Sequence, residues 1–180
     1  MIVAARSPLA TAEWDPLRTH ETDLFIGADI GRRRDRTAIW IDQRVDHNVS
    51  ICRGVLLLDR MPFEDQHDIF GDLLKHPKVR RASIDETGIG MALVERLRLK
   101  FGGKVEGITF TSATKESMSI LVRQRFEQRL DLIPQNHREI ERDLAAIKRL
   151  ATPYGNLRFD AERTAADIGR AAGLLRPPAP

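Results

Sequence analysis

The chain is short of several things, and each shortage closes a line of inquiry. Cys52 is its only cysteine. It therefore has no intramolecular disulfide and no cysteine-built zinc site, which fits a reducing compartment. The five histidines are scattered and no pair has a zinc-site spacing. No apolar run approaches the length of a membrane span, and Arg6, Glu13 and Asp15 interrupt an N-terminus too polar for a signal peptide. No GxxxxGK[ST] occurs, so no P-loop motor is present, and the two glycines of TGIG do not make a dinucleotide fingerprint. These exclusions point to a soluble protein of the cytoplasm with no membrane partner.

What is there suits one globular unit. Of 180 residues, 42% are hydrophobic, enough for a single core of common domain size. The net charge is only +3, but the arginines are clustered, and phosphate contacts are local.

Residues 1–22, broken by Pro8 and Pro16, show no period and read as a leader or linker. Leu24–Ile30, residues 37–42 and residues 49–59 read as three strands with short connections, hence an antiparallel meander. Helices and strands then alternate. A helix ends near Pro77, residues 79–85 form a strand, and TGIGMALVERLRLKFGG forms a helix capped at Gly102 and Gly103. KVEGITF is a strand, residues 114–130 are a helix opened by Thr114, and residues 136–150 are another helix. GNLRF at 155–159 is a last strand, AERTAADIGRAAGLL a short helix, and residues 176–180 a proline-rich tail. The fold class is α/β: a mixed sheet with an antiparallel first half and parallel later strands, flanked by helices.

Two carboxylates end apolar strands. FIGADIGRRRDRTAIWI, residues 25–41, sets Asp29 at a strand end, and SIDETGIG sets Asp85 at another. In open α/β sheets catalytic groups collect at such ends. A lone aspartate there more often caps a turn or a helix. Two in the same context, the first followed by Thr37, favour a shared task. Carboxylates brought together repel unless a cation lies between them, and hard oxygen donors suit Mg²⁺ or Mn²⁺. Two such ions about 3.5–4 Å apart activate water and stabilise the leaving oxygen of a phosphodiester. Arg32, Arg33 and Arg34 would meet the phosphate backbone, or else form a solvated turn. Asp35 reads as a turn residue and Glu86 as a cap for the helix near Gly88. Lys115, in TSATKES, sits where helix-start amides can hold an anion, although an N-cap explains the same residues.

FIGADIGRRRDRTAI, SIDETGIGMALVERLRLKFG, VEGITFTSATKESM, LDLIPQN with REIERDLAAIKR, and TPYGNLRFDAERTA, in that order, resemble the C-terminal nuclease domain of bacteriophage large terminase subunits, in the version carried by Mu-like phages. The resemblance implies an RNase H-like nuclease domain over residues 23–175 that cuts double-stranded DNA during genome packaging with two divalent metal ions. It sets Asp29 and Asp85 on two of the family's acids. The family's remaining acid lies in a C-terminal helix, usually as His-x-Asp followed by aromatics and alanines. Here RTAADIGRAAGLLRPPAP has neither histidine nor aromatic. Asp167 is the first choice for that acid and Asp160 the second. The implied partners are double-stranded DNA, a terminase ATPase domain, the small terminase subunit and the portal, in the bacterial host cytoplasm. The ATPase has no counterpart in these residues, so the chain reads as an excised domain, a stand-alone gene product or a prophage remnant. Two other readings stay open: a catalytically impaired DNA-binding or assembly module from such a remnant, and a fragment of an actin-like kinase, whose DxGxxxT loop DIGRRRDRT loosely matches.

Overall fold

The computed structural model describes residues 5–16, 18, 22–31, 36–135, 137–145, 147–151, 157–161, 171, 172 and 174. Three long strands form its middle: β2 (Leu24–Asp29), β3 (Thr37–Arg44) and β4 (Ser50–Leu58). They pair antiparallel in chain order. Seven of the eight residues of TAIWIDQR are buried, so β3 is covered on both faces and belongs mid-sheet.

The later strands extend this meander on both sides. β5 (Val79–Asp85) pairs parallel with β2, and β6 (Val105–Ile108) pairs parallel with β5. On the far side β7 (Asp131–Pro134) pairs parallel with β4, and β1 (Ala5–Ser7) pairs parallel with β7. The order β1-β7-β4-β3-β2-β5-β6 is the expected mixed sheet of antiparallel and parallel strands. A separate antiparallel pair joins β8 (Ile147–Ala151) to β9 (Leu157–Ala161).

Side-chain alternation divides the core in two. One face of the sheet offers Leu24, Ile26, Ala28, Ile39, Ile41 and Ile84 to α1 (Phe63–Lys75) and α2 (Ile89–Phe101), which bring Phe70, Leu73, Leu74, Leu93 and Leu97. The opposite face offers Ala38, Trp40, Ile51 and Ile133 to α3 (Ser112–Glu127) and α4 (Arg138–Ala145), through Val122, Phe126, Ile140 and Leu144. Ala171 and Ala172 join that second core. Among the described residues no helix is long and apolar enough to cross a membrane.

Five expectations change. Residues 5–16, expected in a leader or linker, add edge strand β1 to the sheet; Ala10 is buried and Trp14 packs against the first core. The signal is faint because only three residues pair, in parallel, with a strand more than a hundred positions away. β7 is an added strand: four residues ending in proline carry too little pattern to announce it. The helix expected over 136–150 stops at Ala145, because the next residues pair with β9, and pairing overrides the helical spacing. α3 opens at Ser112 rather than at Thr114. Thr111 is its N-cap and accepts from the Thr114 amide, while Thr114 bonds back to the Thr111 amide. Of the expected C-terminal helix, Ala161 instead ends β9 and residues 171, 172 and 174 are helical; the rest of that stretch, with Asp167, lies outside the described residues.

Candidate active site

β2 and β5 run parallel as neighbours, and their register pairs Gly27 with Ser83 and Ala28 with Ile84. One step further along both strands stand Asp29 and Asp85. Parallel neighbours are about 4.8 Å apart. Both aspartates project on the same side, because Asp29 lies opposite Ala38, whose side chain faces α3 and α4. The two carboxylates thus stand on the same side of the sheet at the C-terminal ends of adjacent strands.

Both are held in low exposure, Asp29 at 8% and Asp85 at 9%. Asp85 Oδ1 accepts the Thr87 amide at 2.8 Å, an Asx turn that fixes the carboxylate plane. Two acidic groups on neighbouring strand ends and this dry favour a positive charge between them. The donors are all hard oxygens, so the pair fits a divalent ion of the Mg²⁺ or Mn²⁺ kind. Among the described residues no third carboxylate, imidazole or thiolate joins them to complete a cluster.

The chain segments after Asp85 show why glycines are needed there. A Cβ on Gly90 would lie 1.8 Å from the Asp85 carbonyl oxygen, so the first turn of α2 approaches that backbone as only glycine allows. Gly88, the N-cap, holds φ of 67°. Glu86, expected to cap α2, does not. Its Oε1 accepts from the Thr109 hydroxyl at 2.9 Å, and its Oε2 lies 3.9 Å from Arg98. The Glu86 side chain turns towards β6 because Gly107 leaves room for it.

Lys115 stands in the first turn of α3, at the end of the sheet where β6 stops beside Asp85. Its amine sits 5.6 Å over the Phe110 ring. Arg32, Arg33, Arg34 and Asp35 lie outside the described residues, like Asp167. Asp160 falls in β9, in the separate two-stranded sheet. Cys52 is buried, and burial together with nearby Asp42 pushes its thiol well above the ordinary range, so it is no ligand or nucleophile. A fully buried carboxylate that the sequence did not reveal is Asp143 in α4, between Ile140 and Leu144 on the helix face turned to the second core. A polar residue one place off an apolar stripe gives no signal of such burial.

The family model of the terminase RNase H-like domain matches residues 26–167. The chain belongs to the terminase RNase H-like domain family. Solved structures with the same fold agree. The large terminase nuclease from thermophilic phage G20c with bound magnesium superposes with a TM-score of 0.73 at 20% identity, covering 97% of this chain and 91% of that one. The large terminase nuclease domain from bacteriophage SPP1 with bound Mn gives 0.61 at 14%, covering 96% and 97%. A point mutant of the nuclease domain of the large terminase subunit from bacterial virus Sf6, with manganese and beta-thujaplicinol, gives 0.69 at 12%, covering 87% and 89%. No curated protein matches. The terminase-family match spans the strands that carry Asp29 and Asp85, and with it the fragment of an actin-like kinase falls away.

Proposed function

We propose that residues 23–175, with β1 added to their sheet, form a metal-dependent endonuclease domain that cleaves double-stranded DNA during phage genome packaging. The observation that carries this reading is the pairing of Asp29 and Asp85 at adjacent parallel strand ends, on one side of the sheet and largely buried. Asp29 and Asp85 would hold Mg²⁺ or Mn²⁺, two ions in all, with Asp167 as the third acid. Bound there, the ions supply a water of lowered pKa and offset the charge that builds on the scissile phosphate. The chain's own part is to fix donors. The Asx turn at Thr87 keeps the Asp85 carboxylate from rotating, and burial of both acids keeps competing water away. Arg32, Arg33, Arg34 and Lys115 would grip the phosphate backbone without reading bases, so cutting is weakly sequence-specific. A terminase ATPase domain, the small terminase subunit and the portal are the partners, and the bacterial cytoplasm the place.

A second reading, a DNA-binding or packaging-assembly module with impaired catalysis, is favoured by the C-terminal sequence RTAADIGRAAGLLRPPAP, which has neither histidine nor aromatic. Nicking of supercoiled plasmid in Mn²⁺ separates the two. The nuclease reading expects nicking by the wild type and a loss of about a hundredfold or more in Asp29→Ala and in Asp85→Ala. Equal activity in wild type and variants refutes it. Salt-sensitive DNA binding without any cleavage supports the second reading.

A further inference from the structure

On the α1 side of the sheet, behind Asp29, runs a file of buried polar groups that none of this chemistry uses. Thr37, the first residue of β3, is fully buried, and Gln66 of α1 is 5% exposed. The Gly31 amide donates to Thr37 Oγ1 at 2.9 Å. Thr37 Oγ1 donates to Gln66 Oε1 at 2.8 Å. Gln66 Nε2 donates to the Met61 carbonyl at 2.9 Å.

The direction of every bond is forced. A carbonyl only accepts, so the Gln66 atom facing Met61 is the NH₂ and its oxygen faces Thr37. The hydroxyl must spend its one proton on that oxygen, which leaves its lone pairs for the Gly31 amide. No rotor and no amide flip remains free. Such a chain is satisfied as a whole or not at all.

Its place gives it a consequence. The β2–β3 ladder ends at Asp29 opposite Ala38, so strand pairing does not fix the backbone beyond Asp29. Thr37 ties Gly31, two residues past Asp29, to the residue where the chain re-enters the sheet. That bond joins the end of the described stretch after β2 to the first residue of β3. The same stretch abuts the other acid's turn: Ile30 Cγ1 lies 3.5 Å from where a Gly90 Cβ would stand, beside the Asp85 carbonyl.

We propose that Thr37 and Gln66 are positioning residues for Asp29. By fixing the exit of β2 from behind, they set the direction of its carboxylate. The proposal rests on the reading of Asp29 as a cation ligand. Thr37→Val keeps the shape and removes the hydroxyl; Thr37→Ser keeps the hydroxyl; Gln66→Leu cuts the chain from its other end. Three readouts apply to each full-length variant: Mn²⁺ affinity by calorimetry without DNA, exchange of the Gly31 amide, and kcat and KM of plasmid nicking. Thr37→Val and Gln66→Leu should each weaken Mn²⁺ binding about tenfold, speed Gly31 exchange and lower kcat with KM unchanged. Thr37→Ser should match the wild type within about twofold. Folded Val and Leu variants with wild-type Mn²⁺ affinity and kcat overturn the proposal, as does a Ser variant as impaired as the Val variant. If Thr37→Val does not fold, Gln66→Leu against Thr37→Ser decides by the same criteria. A wild type that binds no Mn²⁺ overturns the cation reading of Asp29, and this proposal with it; a wild type that binds beside variants that bind equally overturns this proposal alone.

Discussion

Gly90 decides how the second acid is presented. The nearest atom to a Cβ there is backbone, the Asp85 carbonyl oxygen at 1.8 Å, and backbone cannot swing aside. At Gly107 the nearest atom is the far end of the Glu86 side chain at 1.9 Å, which can rotate away for the loss of its Thr109 bond. Gly90→Ala should therefore cost about 1–3 kcal/mol by overpacking and shift the Asp85 turn, whereas Gly107→Ala should cost less. Thermal unfolding of the two variants checks the ranking; a Gly90→Ala protein as stable as the wild type would contradict the close approach. The strand-end places of Asp29 and Asp85 were legible in the sequence because each closes a strand-like run at a turn. The glycine requirement was only half legible: TGIG announces a tight turn into a helix, but not that the turn presses on the Asp85 carbonyl. Thr37 was visible as a residue after the arginines, and its partner Gln66 was not, since nothing in a helical pattern marks which polar side chain will be buried against a strand.

Elements tell a similar story about range. β2, β3, β4, β5, α1 and α2 could be read because each carries its own period and its own stop: Pro77 after α1, Gly102 after α2. β1, β7 and β8 depend on pairing partners that a window of a few residues cannot show, whereas GNLRF announced the strand that stands as β9. β7 is held by something besides pairing. Arg125 at the end of α3 grips Asp131 with Nε at 3.1 Å from both carboxylate oxygens and Nη2 at 2.8 Å from Oδ1, and Nη2 also donates to the Asn48 carbonyl. The pair is mostly buried, at 15% and 7% side-chain exposure. Removing one partner strands the other, so Asp131→Ala should destabilise the fold by about 3 kcal/mol, and Asp131→Asn by less because one acceptor survives. Chemical denaturation measures both, and an unaffected Asp131→Ala protein would show that β7 needs no clamp.

At the scale of the molecule, the proposed ligands and the proposed phosphate contact lie at one end of the sheet. Asp29, Asp85 and the start of α3 with Lys115 all lie where β2, β5 and β6 end. If that end holds DNA as proposed, binding should have a strong salt dependence. Every phosphate no longer gripped should reduce the slope of log K against log salt by about 0.9. Replacing Arg32, Arg33 and Arg34 together with alanine should therefore lower the slope by up to about 2.7 without changing the preferred sequence. Binding curves at several salt concentrations read this directly, and an unchanged slope would return the arginines to the role of a solvated turn. The central claim is that Asp29 and Asp85 share divalent cations. A crystal soaked in Mn²⁺ and measured for its anomalous signal tests it. The account predicts manganese peaks between the two carboxylates at the ends of β2 and β5; a well-ordered site with Mn²⁺ bound only elsewhere, or not at all, would contradict it.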